Sequence, residues 1–127
     1  MSSENGHMVI IGGGKASARA AVALRENGHE GAITLITGEA HAPYDRPPLS
    51  KAIITEADTP APTYLTDEAL LASTRVWLFT SNPAAEIDRA AKTVLLENGT
   101  RVPYAKLLLA TGARPRKLPL PGADLPQ

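Results

Sequence analysis

The stretch Met8-Val9-Ile10-Ile11-Gly12-Gly13-Gly14-Lys15-Ala16-Ser17-Ala18 decides how the rest of the chain is read. Its first four residues form a continuous apolar run, the pattern of a short strand buried on both faces of a parallel sheet. Three glycines break the run, and after them the period changes. Ala16, Ala20, Ala23 and Leu24 recur at helical spacing, and Gly28 falls where a helix is expected to end. Ala32-Ile33-Thr34-Leu35-Ile36 reads as a second strand. Together these residues make a βαβ unit of about thirty residues, the usual size of that motif.

A strand, a Gly-x-Gly-x-x-small turn and a helix have a specific physical use. The first glycine permits the tight turn, the second removes a Cβ so that a pyrophosphate can approach the backbone, and the third position must be small for close helix–strand packing. Here these positions are Gly12, Gly14 and Ser17, with serine a departure from the usual glycine or alanine. The helix start offers unpaired N–H groups and about half a positive charge to an anion. Glu39 stands just past the second strand, where a carboxylate can accept both hydroxyls of an adenosine ribose and repel a 2′-phosphate. A plain turn followed by a solvated loop acid is the competing reading, and these residues alone do not choose between FAD and NAD.

Composition narrows the classes around this unit. The 127 residues suffice for one domain, and at this size roughly two-thirds of the unfolded chain's surface can be buried. Thirteen basic residues balance thirteen acidic ones, so there is no basic field to attract nucleic acid and no polybasic signal for a membrane surface. The absence of cysteine excludes a disulfide scaffold, a thiolate metal site and a dithiol relay within the chain. Mean hydropathy is −0.10 and no apolar run is long enough for a membrane span. Residues 1–7 are polar and read as a disordered tail without a signal-peptide core, which makes the expected location cytoplasmic.

Further along, Leu49 to Ile54 has the makings of a helical turn or two, and Thr66-Asp67-Glu68 before Ala69-Leu70-Leu71 those of a short capped helix. Val76 to Phe79, Ala85 to Ile87 and Val94 to Leu96 read as strands, and Glu97-Asn98-Gly99-Thr100 is a strong hairpin-turn signal. Lys106 to Ala110 is another apolar run that ends at a glycine, Gly112, and residues 113–127 read as a Pro-rich exit linker. Trp77 is expected to pack against the sheet. His7, His29 and His41 lack the partner spacing of a zinc site.

Three stretches resemble one family. The opening Val9 to Ala18 resembles the start of FAD-dependent, NAD(P)H-linked ferredoxin reductases, the rubredoxin and putidaredoxin reductase type within the pyridine nucleotide-disulfide oxidoreductase superfamily. Pro43-Tyr44-Asp45-Arg46-Pro47-Pro48-Leu49-Ser50-Lys51 is similar to their Pro-Tyr-(Glu/Asp)-Arg-Pro-Pro-Leu-Ser-Lys signature. Leu107-Leu108-Leu109-Ala110-Thr111-Gly112-Ala113-Arg114-Pro115-Arg116 resembles their Ala-Thr-Gly segment and its exit. The middle signature is far more specific than the glycine turn.

The resemblance implies an α/β fold: a Rossmann-like βαβ domain over residues 8–112 with a small antiparallel β-meander insertion. It implies FAD as cofactor and a ferredoxin-type iron–sulfur protein as electron acceptor. The cofactor-binding positions it implies are Gly12, Gly13, Gly14, Lys15, Ala16, Ser17, Glu39, Arg46, Lys51, Ala84, Ala110, Thr111 and Gly112. No catalytic residue and no metal ligand is among them. On spacing alone, Arg46 and Lys51 would be a surface ion pair with Asp45 or Glu56. Family members are about three times longer and carry a second glycine motif for NAD(P)H. The expectation is therefore the first segment of an incomplete FAD domain; a nucleotide-binding module without turnover is the alternative.

Overall fold

The computed structural model describes residues 6–43, 75–114 and 116–126. The βαβ unit is present as β1 (Met8–Ile11), α1 (Lys15–Glu26) and β2 (Ile33–Ile36). β1 and β2 run parallel, with Met8 opposite Ile33 and Ile11 opposite Ile36. The face of α1 toward the sheet is made of small side chains: Ser17, Ala18 and Ala21 are buried. They let the helix lie close, and Ala21 joins Ile10, Ile33 and Leu35 in one core cluster.

The helix ends as Gly28 implies. Asn27 is the C-cap, and Gly28 follows with φ +86, a left-handed conformation that costs glycine little. The Gly28 N–H donates to the Arg25 carbonyl (3.1 Å) and the His29 N–H to that of Leu24 (2.9 Å), the paired bonds of a Schellman end. The Arg25 guanidinium donates to the carbonyls of His29 and Gly31, both at 2.7 Å, and of Arg75 (3.1 Å), tying this corner to the strand that follows.

Two further strands complete a parallel sheet. β3 (Val76–Phe79) pairs with β2, and β7 (Lys106–Leu109) pairs with the other side of β1, giving the order β3-β2-β1-β7. Between them β4 (Ala84–Asp88), β5 (Thr93–Leu96) and β6 (Arg101–Pro103) form a three-stranded antiparallel meander. It covers the sheet face opposite α1, where Val9, Ile11 and Ile36 meet Val94, Leu96 and Val102. Burial on both faces explains why β1 and β2 read as unbroken apolar runs, whereas β7 at the edge leaves Leu108 and Leu109 exposed.

The turn at Glu97 to Thr100 is the β5–β6 hairpin, with Gly99 at φ +89 and a Leu96 N–H to Thr100 carbonyl bond of 2.8 Å. β6 itself was not legible, because three residues with only Val102 buried carry too little alternation to count as a strand. Trp77 departs from expectation: it is 70% exposed. β3 is an edge strand of the sheet, and Trp77 is not among the residues packed against the core beneath the meander.

His7, assigned by sequence to the polar tail, is tied to the sheet. Its ring Nε2 lies 2.7 Å from the Thr34 hydroxyl, and its carbonyl accepts the Ala105 N–H (2.8 Å). Partial burial holds the imidazole pKa below its ordinary 6.5. The unfolded chain then binds the proton more tightly than the folded one. The resulting stability is complete above about pH 6.5 and is lost as pH falls through the lowered folded-state value. Urea midpoints should therefore drop between about pH 7.5 and about pH 5.5, and His7→Gln should flatten that drop. A drop of the same size in the variant would assign it to other groups.

Candidate nucleotide-binding site

In an open parallel sheet a ligand crevice forms outside the carboxyl ends of the strands, where chain connections diverge to opposite sides. β1 occupies that position here, with β2 on one side and β7 on the other. The segments leaving all three strands line one cavity of about 610 Å³, closed by Pro83 and Ala84 at the start of β4. Such a volume suits a small-molecule site.

Each glycine of the turn answers to a different neighbour. Gly12 has φ +140, and a Cβ there would overlap the Ala110 carbonyl oxygen and lie 2.7 Å from the Ser17 hydroxyl. Its N–H donates to the Ile36 carbonyl (2.8 Å), so the turn is pinned between the exits of β2 and β7. A Cβ on Gly13 would overlap the Thr37 hydroxyl. Around Gly14 an added Cβ would meet nothing within 4 Å. Gly14 borders the cavity, where a phosphate can come close to the backbone.

Gly14 is also the N-cap of α1 and supplies no capping side chain, and the first turn contains no acid. The positive end of the helix dipole is left for an anion from outside. These residues fit a dinucleotide diphosphate. Ala16 lines the cavity beside them; Lys15 is exposed and outside the lining. Ser17 fills the third small position fully buried, and its Oγ has no hydrogen-bond partner among the described residues. It therefore acts beneath the turn rather than in the cavity wall.

Glu39 lines the β2 side and is held by its backbone. Its N–H donates to the Thr37 Oγ1 (3.1 Å) and its carbonyl accepts the Ser81 N–H (2.9 Å). Thr37 in turn donates its N–H to the Phe79 carbonyl (2.9 Å). On the β7 side Ala110, Thr111 and Gly112 line the cavity, and the Ala110 N–H donates to the Ile11 carbonyl (2.8 Å). Ala84 lines it too, so residues from four separate stretches of sequence converge.

Sequence reasoning missed Thr37, Gly38, Pro83, Ala113 and Arg114 as lining residues. Their positions directly after β2, before β4 and after β7 were the available signal. Arg46 and Lys51, with the rest of their signature after Pro43, lie outside the described residues. Among the described residues no group of three or more His, Cys, Asp or Glu could hold a metal ion, and no helix is long and apolar enough to cross a membrane.

Comparison with known proteins places this geometry. Residues 6–127 match the family model for pyridine nucleotide-disulphide oxidoreductases. Rhodocoxin reductase of Rhodococcus erythropolis is 44% identical over 119 residues, which is 94% of this chain and 28% of that protein. The crystal structure of a ferredoxin reductase from Rhodopseudomonas palustris superposes with a TM-score of 0.85 at 39% identity, over 94% of this chain and 30% of its own. Putidaredoxin reductase in its covalent complex with putidaredoxin gives a TM-score of 0.81 at 36% identity, over 91% of this chain and 28% of its own. The chain thus spans less than a third of the length of these relatives. The α/β fold, the glycine turn and a match over nearly the whole chain agree: the protein belongs to the FAD-dependent pyridine nucleotide-disulphide oxidoreductase family.

Proposed function

We propose that the crevice binds FAD, and that residues 8–112 are the first segment of the FAD domain of a cytoplasmic reductase that passes electrons from NAD(P)H to a ferredoxin-type iron–sulfur protein. Residues 113–127 then lead out of that segment. The observation that carries the reading is the open face of Gly14 at the uncapped start of α1, in one cavity with Glu39 and the segment Ala110 to Gly112. The names of the relatives support the acceptor class.

In this reading the amides from Gly14 to Ala16 hold the diphosphate, and Glu39 accepts the adenosine ribose hydroxyls. The small side chains of Ala84, Ala110 and Gly112 let the cofactor lie against the backbone. Arg46 and Lys51 contribute a planar fork and a point charge, as the resemblance implies. When bound, FAD supplies the conversion between two-electron hydride acceptance and one-electron release, while the protein binds, orients and tunes it.

The test is an absorption spectrum of the purified 127-residue chain after incubation with FAD and removal of the excess, before and after NADH. The expected result is a yellow protein that NADH does not bleach, since the sequence holds one glycine turn of this kind and the nicotinamide site is assigned elsewhere. A colourless protein would contradict FAD binding. A yellow protein that NADH bleaches would contradict the assignment as a partial domain.

A further inference from the structure

Among the described residues, charge is sparse around the crevice. Of the described residues that line it, Glu39 and Arg114 are the two with ionisable side chains. Glu39 follows β2 and Arg114 follows β7, with β1 and its glycine turn between them. Neighbouring strands lie about 4.8 Å apart, so the backbone exits of β2 and β7 are separated by about 10 Å. A diphosphate seated at the start of α1 therefore has a carboxylate toward one side and a guanidinium toward the other.

The backbone explains how Arg114 reaches this place. Gly112 has φ +73, and an added Cβ would meet nothing within 4 Å. Its glycine thus serves the direction of the chain rather than close packing. The left-handed residue turns the segment after β7 along the crevice instead of onward with the strand, so that Ala113 and Arg114 border the cavity. Arg114 and Arg116 are both exposed, and Arg116 lies outside the lining.

We propose that Arg114 is a specificity-determining ligand of the crevice, taking the diphosphate of an adenine dinucleotide from the β7 side and favouring diphosphates over monophosphates. The proposal rests on the nucleotide-binding reading above. Backbone amides at α1 can satisfy one set of phosphate oxygens but leave net negative charge on the opposite side. A guanidinium answers that charge with two parallel N–H donors, a geometry that a lysine ammonium does not reproduce. Glu39 at the other end keeps phosphate away and leaves the ribose hydroxyls as its partners.

Calorimetric titration of the full chain with FAD, ADP, AMP and adenosine tests this. Arg114→Gln is expected to weaken ADP about tenfold, the scale of a charge-assisted pair, while adenosine is unchanged and the ADP-over-AMP preference narrows. Arg114→Lys should recover part of the loss, and Arg116→Gln should leave all affinities as they are. Equal losses in Arg114→Gln and Arg116→Gln, or a loss for adenosine matching that for ADP, would overturn the proposal in favour of general charge or packing. Wild-type protein that binds neither FAD nor ADP would remove the nucleotide-binding reading and this proposal with it. Wild-type binding retained in full by Arg114→Gln would remove the Arg114 assignment alone.

Discussion

Replacing Gly12 by alanine is expected to destabilise the fold by about 2–5 kcal/mol, whatever ligand is present. Two costs combine at this residue. A φ of +140 is a conformation that a side chain disfavours, and the added Cβ overlaps the Ala110 carbonyl oxygen. That oxygen is backbone, and the Ala110 N–H is itself bonded to the Ile11 carbonyl, so the obstacle cannot swing away as a side chain would. The exits of β1 and β7 must separate to admit the methyl group. The urea midpoint should fall by about 2 M, or the variant should fail to fold at all. An unchanged midpoint would show that the turn is looser than its contacts indicate.

Gly14→Val should do the opposite: little harm to the fold and a large loss of binding. Gly14 has φ −100 and ψ −169, extended backbone that valine adopts readily, and its added Cβ meets no atom of the described residues within 4 Å. The cost to the helix start is about 1 kcal/mol at most, since glycine is already a modest N-cap. The two new methyl groups, however, occupy the space through which a phosphate reaches the amides of α1. Affinity for FAD or ADP should fall about a hundredfold, equivalent to about 2.7 kcal/mol. Measured side by side, Gly12→Ala should move the melting midpoint and Gly14→Val the binding isotherm. A Gly14→Val protein that binds ADP as the wild type does would place the phosphates elsewhere.

How much of this was legible in the sequence follows from the range of each interaction. The parallel strands β1 and β2 announced themselves, because burial on both faces leaves an unbroken apolar run; β7 reads as such a run too, although its Leu108 and Leu109 are exposed. The end of α1 was marked by Gly28, whose left-handed turn only glycine adopts cheaply. Uses for Gly12 and Gly14 follow from the local strand–turn–helix pattern. A use for Gly13 does not, since its constraint comes from Thr37, brought alongside only when β2 pairs with β1.

The same limit accounts for Trp77, β6 and part of the cavity wall. Whether Trp77 is covered depends on its place in an edge strand and on the reach of the meander, neither of which is a local property. β6 is a strand because β5 presents it with partners; three residues with one buried side chain do not specify a strand alone. Pro83 and Arg114 enter the site because the entry to β4 and the exit of β7 meet around β1. Only the long-range packing of the strands brings them together.

Where a diphosphate sits on this fold is read out by titrating the isotopically labelled chain with ADP, followed amide by amide in heteronuclear NMR spectra. The largest shifts are expected at Gly14, Lys15 and Ala16, at the start of α1, with smaller ones at Glu39 and across Ala110 to Arg114. Shifts confined to other surfaces, or none at ligand concentrations that saturate binding, would contradict this placement.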